Sequence, residues 1–332
     1  WVFDTGCVPF LKIPYIGLLA SVLGNLDTKQ RNYTELADEI NIHTGGIRVG
    51  TSIYTEQGCH STLYPKMEVS MKVLQPKLEE GARLMTETGK GVAVVDLEVK
   101  SGLYNQVLKE IIGQLKSRLE MMMNGSGHMV AVNRANSFQS LAGIYKEYEE
   151  GLSYYRFIEN LNKNFEDLKE EIVSNLKETL DIILRKENLL IDITASETSV
   201  EMLTEPMLKA LEKPMAEASL RPEPEGQESR KKGEILPCVK SALRQAMQGG
   251  QREAYTTAGM VQYDACAGDF ARAGYSYHGA LNVLKVLMNY DYLWIRLRVQ
   301  GGAYGCMCGF SPNGTGYFTS YRGPNLKETY DV

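Results

Sequence analysis

The chain has 332 residues, enough for two domains of ordinary size, and its 43% hydrophobic and 23% charged residues describe a soluble globular protein with a real core. A formal net charge of -5 argues against nucleic acid and anionic lipid as main partners, so any basic site must be local. No apolar run reaches the roughly 18 residues a helical membrane span needs.

The chain opens on WVFDTGC, without a start methionine or a signal-type apolar core, and ends on NLKETYDV in what reads as an opening helix. Both ends read as cut, so a fragment of a longer protein is expected. In IPYIGLLASVLG, Pro14 stands near a helix start, Ile16, Leu19 and Leu23 share a face, and Gly24 is the stop. Asn32 with Glu35 three residues on predicts a capping box, and Gly45-Gly46 an exit. Strict alternation follows at Ile47, Val49, Thr51 and Ile53, and again at Met67, Val69, Met71 and Val73. Polar residues fill the intervening positions, which predicts a half-covered antiparallel sheet. From Gln75 to Leu184 the pattern is helical, with one stripe at Val107, Leu108, Ile111, Ile112, Leu115 and Leu119 and one or two long amphipathic helices after Tyr154.

A second unit is expected from near Asn188. NLLIDIT reads as a strand and the segment after Ser199 as a helix. Residues 219–233, rich in Pro, Gly and charge, read as an exposed loop. A strand follows around MVQYDACA. Leu281, Leu284, Met288, Tyr292 and Ile295 mark a helix from about Tyr277 to Arg298. GCMCGF and YFTSY, joined at Asn313-Gly314, read as a hairpin, and Pro324 opens a last helix. The expected architecture is α+β, in two domains of the same type spanning 1–186 and 187–332. Each has an antiparallel-rich sheet with helices on one face.

The chemistry is mostly defined by what is missing. The histidines His43, His60, His128 and His278 include no pair spaced for H-E-x-x-H or H-x-x-E-H, and no P-loop or G-x-S-x-G motif occurs. His43 reads as a cation at a helix C-terminus and His278 as a neutral hydrogen-bonding residue at a helix start. Cys7, Cys59, Cys238, Cys266, Cys306 and Cys308 include no C-x-x-C, so no metal ligands are assigned. Cys306 and Cys308 read as packing residues on one strand face. Reduced thiols predict a cytoplasmic compartment, or an organelle if the source is eukaryotic.

One break stands out, RVQGGAYG at residues 298–305. Gly301 and Gly302 supply a left-handed helix exit, and Arg298 and Tyr304 flank the corner. Two readings stay open on this pattern. Arg298 can simply complement the helix dipole while Tyr304 begins a strand. Alternatively, a guanidinium and a phenol converge to hold a carbonyl or oxyanion.

DYLWIRLRVQGGAYG with FTSYRGPNL resembles the C-terminal half of presequence-protease-like zinc metallopeptidases, of the insulin-degrading-enzyme and pitrilysin superfamily (inverzincins). The opening FDTGCVPFLKIPYIGLLASVLG, the segment QLKSRLEMMMNGSGHMVAVNRANSF and MVQYDACAGDF fall in family order, so the likeness covers nearly the whole chain. It implies a third-domain-like unit at 1–186, truncated at its N-terminal edge, and a fourth-domain-like unit at 187–332, truncated at its C-terminus. It also implies a clamshell peptidase whose zinc lies in the N-terminal half of the same polypeptide. That half and unfolded peptides are then the partners, with no nucleic acid and no membrane. No cofactor is expected in this chain, which by itself should be inactive. By motif match the family's auxiliary catalytic and substrate-binding arginine and tyrosine fall on Arg298 and Tyr304, with Gly301 and Gly302 as the structural corner. Gly323 departs from the family's usual aspartate. The rival reading is a scaffold or interaction module from a degenerate family member.

Overall fold

The computed structural model describes residues 1–28, 30–59, 61–89, 102–202, 234–248, 252–257 and 259–332. His60 and the 219–233 loop expected from composition lie outside the described residues. The chain divides into two compact units, each assembled from three stretches. Unit 1 comprises 1–52, 64–115 and 158–236, and unit 2 comprises 53–63, 116–157 and 237–332. The fold is α+β with two antiparallel sheets.

In unit 1, β1 (Val2–Asp4), β2 (Ile47–Tyr54), β3 (Tyr64–Met71) and β4 (Leu189–Leu190) form a sheet in the order β2-β3-β1-β4. Strand β1 is antiparallel to both its neighbours, with Phe3 opposite Met67 and Leu189. The expected strand after Asn188 is thus only two residues long. The alternation expected in β3 is borne out where it is sharpest, since Met67 and Val69 are buried.

Helix α1 (Ile13–Val22) carries Pro14 in its first turn. It is buried on nearly every side, through Ile13, Tyr15, Ile16, Leu18, Leu19 and Val22, rather than along one stripe. Its packing partner is α8 (Phe165–Ile183), whose Ile172, Leu176, Leu180 and Ile183 are fully buried. Helix α2 (Tyr33–His43) begins on the predicted capping box. Asn32 accepts from the Glu35 N–H at 2.9 Å, and Glu35 accepts from the Asn32 N–H at 3.1 Å. Helices α3 (Leu78–Gly89) and α4 (Gly102–Gly125) follow, and Leu108, Ile112, Leu115 and Leu119 of α4 are buried as the stripe predicts.

Helices α5 (Gly127–Asn136), α6 (Leu141–Glu149) and α7 (Leu152–Lys163) continue the chain, which after β4 passes through α9 (Glu197–Met202) to α10 (Pro237–Ala246). The second sheet joins β5 (Gln262–Asp269), β6 (Gly305–Phe310) and β7 (Thr315–Gly323) in the order β5-β7-β6, all antiparallel. The hairpin from β6 to β7 is the predicted one. Gly314 takes φ +97°, and Asn313 accepts from the Thr315 N–H and hydroxyl at 3.1 and 2.8 Å. Helix α5 lies on β5 and β7, and α12 (Leu326–Tyr330) ends the chain.

The long helix before the hairpin differs from expectation. Only α11 (Ala280–Leu287) is α-helical, and Met288–Gln300 winds as a π-helix. This wider winding changes which side faces inward. Tyr292 and Ile295 of the expected stripe are exposed, and so is Leu284, which lies in α11 before the winding changes. Leu293 and Leu297 are buried instead, packed with Ala303, Cys306 and Cys308 against β6. The stripe assumed α periodicity, and a change of winding moves every later residue to another side.

Candidate functional site

The glycine corner forms as the sequence requires, but its two glycines do different work. Gly302 alone is left-handed, at φ +76°, while Gly301 keeps a right-handed φ of -90°. Gly301 is needed for space, because a Cβ there would lie 2.8 Å from the Leu297 carbonyl oxygen. The turn closes through Gly302 N–H to Arg298 O at 3.1 Å and Ala303 N–H to Leu297 O at 2.9 Å.

This corner brings Arg298 and Tyr304 together. The Arg298 guanidinium donates through Nη1 to the Tyr304 carbonyl at 2.6 Å. Its Cζ lies 4.1 Å from the Trp294 ring centre and 5.2 Å from the Tyr304 ring centre, so the cation is stacked against two aromatic rings. Tyr304 sits one residue before β6 and is 63% exposed.

Three further residues join this pair, none of them singled out by sequence reasoning. Tyr321 meets Tyr304 edge-on at 5.8 Å, and Tyr263 lies 5.6 Å from Tyr321. Tyr263 and Tyr321 are cross-strand partners on β5 and β7. His128, at the start of α5, meets Tyr321 edge-on at 4.8 Å. Helix and sheet approach so closely here that a Cβ on Gly127 would lie 2.3 Å from the Tyr263 ring. The Tyr263 hydroxyl donates to the Asn124 carbonyl at 2.6 Å, tying the ring to the end of α4. Burial holds the His128 imidazole below its usual range, and its Nδ1 is buried without a hydrogen bond. The register of β5 and β7 pairs these two tyrosines, a signal available in the alternation once the strands are paired. The His128 contact comes from a distant segment and has no local signal.

The remaining expected residues fall as follows. Cys306 and Cys308 are buried packing residues, and burial pushes both thiols up. Asn289 of the π-helix accepts from the Cys308 N–H at 2.7 Å, fixing helix to strand. The His278 Nδ1 accepts from the Ala280 N–H at 3.1 Å, the neutral role expected of it. His43 stands in the last turn of α2, the place expected of it, with its Nε2 3.5 Å from a Glu39 carboxylate oxygen and its Nδ1 3.0 Å from the Lys77 ammonium. Gly323 leaves space bounded by Ser320 and Asp264, whose own carboxyl is pushed up by burial.

Among the described residues one group could hold a metal by proximity. Glu39, His43 and Glu80 offer ligand atoms within 4.8 Å of one another. Arg83 already engages Glu80 and holds its carboxyl below the usual range, and Lys77 engages His43. This is an ion-pair network whose cations are lysine and arginine. It offers one histidine, and it does not fit the two-histidine helix site of a catalytic zinc.

Two family models match the chain. Residues 1–161 match the one described as peptidase M-16C associated, and residues 252–332 match the PreP C-terminal domain. The chain is 33% identical over 330 residues to Protein HypA of Clostridium perfringens, covering 99% of this chain and 31% of that protein. It is 29% identical over 333 residues to Presequence protease 1, chloroplastic/mitochondrial, of Arabidopsis thaliana, covering 100% of this chain and 28% of that protein. Against the mitochondrial presequence protease of Saccharomyces cerevisiae the identity is 24% over 325 residues, 96% of this chain and 30% of that one. The chain therefore spans about three-tenths of the length of the curated relatives it matches. No helix among the described residues is long and apolar enough to cross a membrane. The two model matches, together with relatives aligned along almost the whole chain, mean that it belongs to the presequence-protease-like peptidase family, as a part of its C-terminal half.

Proposed function

We propose that this chain forms part of the substrate chamber of a peptide-degrading zinc metalloendopeptidase, and that Tyr304 and Arg298 act there on the bound peptide. The observation that carries this reading is the way Tyr304 is held. Its carbonyl is bonded to Arg298, its ring is stacked on the same guanidinium, and the residue is 63% exposed. A phenol held in place on an exposed residue is suited to donate to a carbonyl oxygen as negative charge builds on it. Arg298 orients that ring and adds positive charge beside it. By the resemblance the zinc belongs to the N-terminal half of the same polypeptide. The described residues of this chain do not fit it, and no step is assigned to it.

Unfolded peptides are then the substrates, and the N-terminal half of the polypeptide is the partner that closes the chamber. The division into third- and fourth-domain-like units at 186/187 belongs to the same proposal. So does a soluble compartment, cytoplasmic or, as the names of several relatives suggest, organellar. The test is peptide hydrolysis by the full-length protein with phenylalanine at position 304. Loss of turnover with retained folding supports the reading. Unchanged turnover favours a scaffold role for this part of the molecule.

A further inference from the structure

The register of β5 against β7 slips by one residue near the Tyr304 site. Gln262 is opposite Gly323 and Tyr263 is opposite Tyr321, so Arg322 is the extra residue of a bulge. Arg322 takes φ +54°, and among the described residues it is the one non-glycine residue in that left-handed region. Glycine is the ordinary occupant of such a position, and an arginine there is held against its backbone preference. A bulge turns its side chain away from the pleat and aims it elsewhere.

Here the backbone of Arg322 meets Tyr304 and its side chain lies over the neighbouring Tyr321. The Arg322 carbonyl accepts from the Tyr304 N–H at 3.3 Å, and its guanidinium lies 5.2 Å from the Tyr321 ring, which itself meets Tyr304. Trp294, Arg298, Tyr304, Tyr321 and Arg322 thus form a run in which Arg298 lies between Trp294 and Tyr304, Tyr304 meets Tyr321, and Arg322 lies over Tyr321 at the far end. Arg322 is exposed, residue 323 is glycine, and no carboxylate pairs with Arg298 or Arg322 among the described residues. In a chain of net charge -5, two guanidiniums without a carboxylate partner beside one tyrosine are a local site for an anion. The planar donor fork of arginine matches a carboxylate.

We propose that Arg322 is a specificity-determining residue that takes a carboxylate of the bound peptide next to Tyr304. The carboxylate is either an aspartate or glutamate side chain or the free C-terminus of the peptide. This inference rests on the reading that Tyr304 contacts the peptide.

The test uses the full-length protein and paired peptides. One set carries Glu or Gln at successive positions, and the other ends in a free acid or an amide. The wild-type protein should prefer the carboxylate member of at least one set by about tenfold in kcat/KM, mostly through KM, as expected for a charge-assisted hydrogen bond. In Arg322→Gln that ratio should fall to about one, and Arg322→Lys should restore part of it. Arg322→Gly suits the left-handed backbone and keeps the fold, so it separates specificity from stability. It should abolish the ratio in a protein at least as stable. Loss in the Glu set identifies a side-chain carboxylate, and loss in the free-acid set identifies the C-terminus. An unchanged ratio in Arg322→Gln and Arg322→Gly, or no ratio in the wild type while Tyr304→Phe loses turnover, overturns the role of Arg322 alone. Full turnover in Tyr304→Phe overturns the underlying reading as well.

Discussion

Arg298 and Tyr304 are bound twice, once by the hydrogen bond from Nη1 to the Tyr304 carbonyl at 2.6 Å and once by the stack of guanidinium on ring at 5.2 Å. The two contacts fix both the backbone and the ring of Tyr304. Tyr304→Phe leaves both contacts in place and removes only the hydroxyl. Turnover of peptide by the full-length protein should fall on the order of a hundredfold, the usual effect of removing one oxyanion donor, with a smaller change in KM. Arg298→Lys keeps the charge and loses the planar stack between Trp294 and Tyr304, so kcat should fall with it. Steady-state kinetics on both variants, with thermal unfolding as a control, decides the matter.

Gly302→Ala must place a side chain at φ +76°, and Gly301→Ala must place one 2.8 Å from a backbone oxygen. Each should destabilise by about 1–2 kcal/mol, the first through backbone strain and the second through overpacking. Denaturant titration reads both. A neutral Gly301→Ala would mean that the π-helix end can shift to make room.

Arg134 of α5 donates to the buried Glu147 at 3.2 Å and to Glu253 at 2.6 and 2.7 Å. Removing it leaves Glu147, among the described residues, with the Ser153 N–H and hydroxyl as its donors. Arg134→Ala should cost about 2 kcal/mol, less than the roughly 3–5 kcal/mol of a fully buried pair because those two donors remain. Adding Glu147→Gln should recover part of the loss. Equal stability of Arg134→Ala and Arg134→Ala/Glu147→Gln would refute the coupling.

His128 supplies a pH dependence of known sign. Burial lowers its folded pKa below the ordinary 6.5, so the folded state binds a proton less readily than the unfolded one. Its contribution to stability is full above about pH 6.5 and declines as pH falls from there toward the folded pKa. His128→Gln should therefore lose less stability than the wild type between about pH 7.5 and about pH 5.5, as measured by denaturation midpoints.

The 332-residue chain should purify with far less than one zinc per molecule. Its one metal-capable group among the described residues is neutralised by Lys77 and Arg83. Stoichiometric zinc lost in Glu80→Gln would overturn that assignment of the network.

Several features are readable in the sequence because they are local. The Asn32–Glu35 box, the Asn313-Gly314 turn and the glycine corner each involve residues a few positions apart, where side-chain chemistry and backbone geometry decide the outcome together. The winding of Met288–Gln300 is not readable, since α and π helices share their apolar composition and differ only in where the faces fall. The Arg322 bulge depends on how β5 and β7 pair, and no glycine at that position marks it. The contacts of His128 with Tyr263 and Tyr321 join segments over a hundred residues apart, beyond the reach of any periodicity.

The π winding also sets how this segment tolerates length change. A π-turn holds one residue more than an α-turn, so the segment carries more residues than an α-helix of the same number of turns. A single deletion within Met288–Gln300 can be absorbed by one turn tightening to α geometry, with Leu297 kept in the apolar cluster on β6 and Arg298 kept on the carbonyl it now holds. An insertion has no such outlet, because the winding is already the wider one. Tolerance for length change is therefore one-sided here: the segment can shorten by a residue and keep the arginine in register with the tyrosine, but it cannot lengthen.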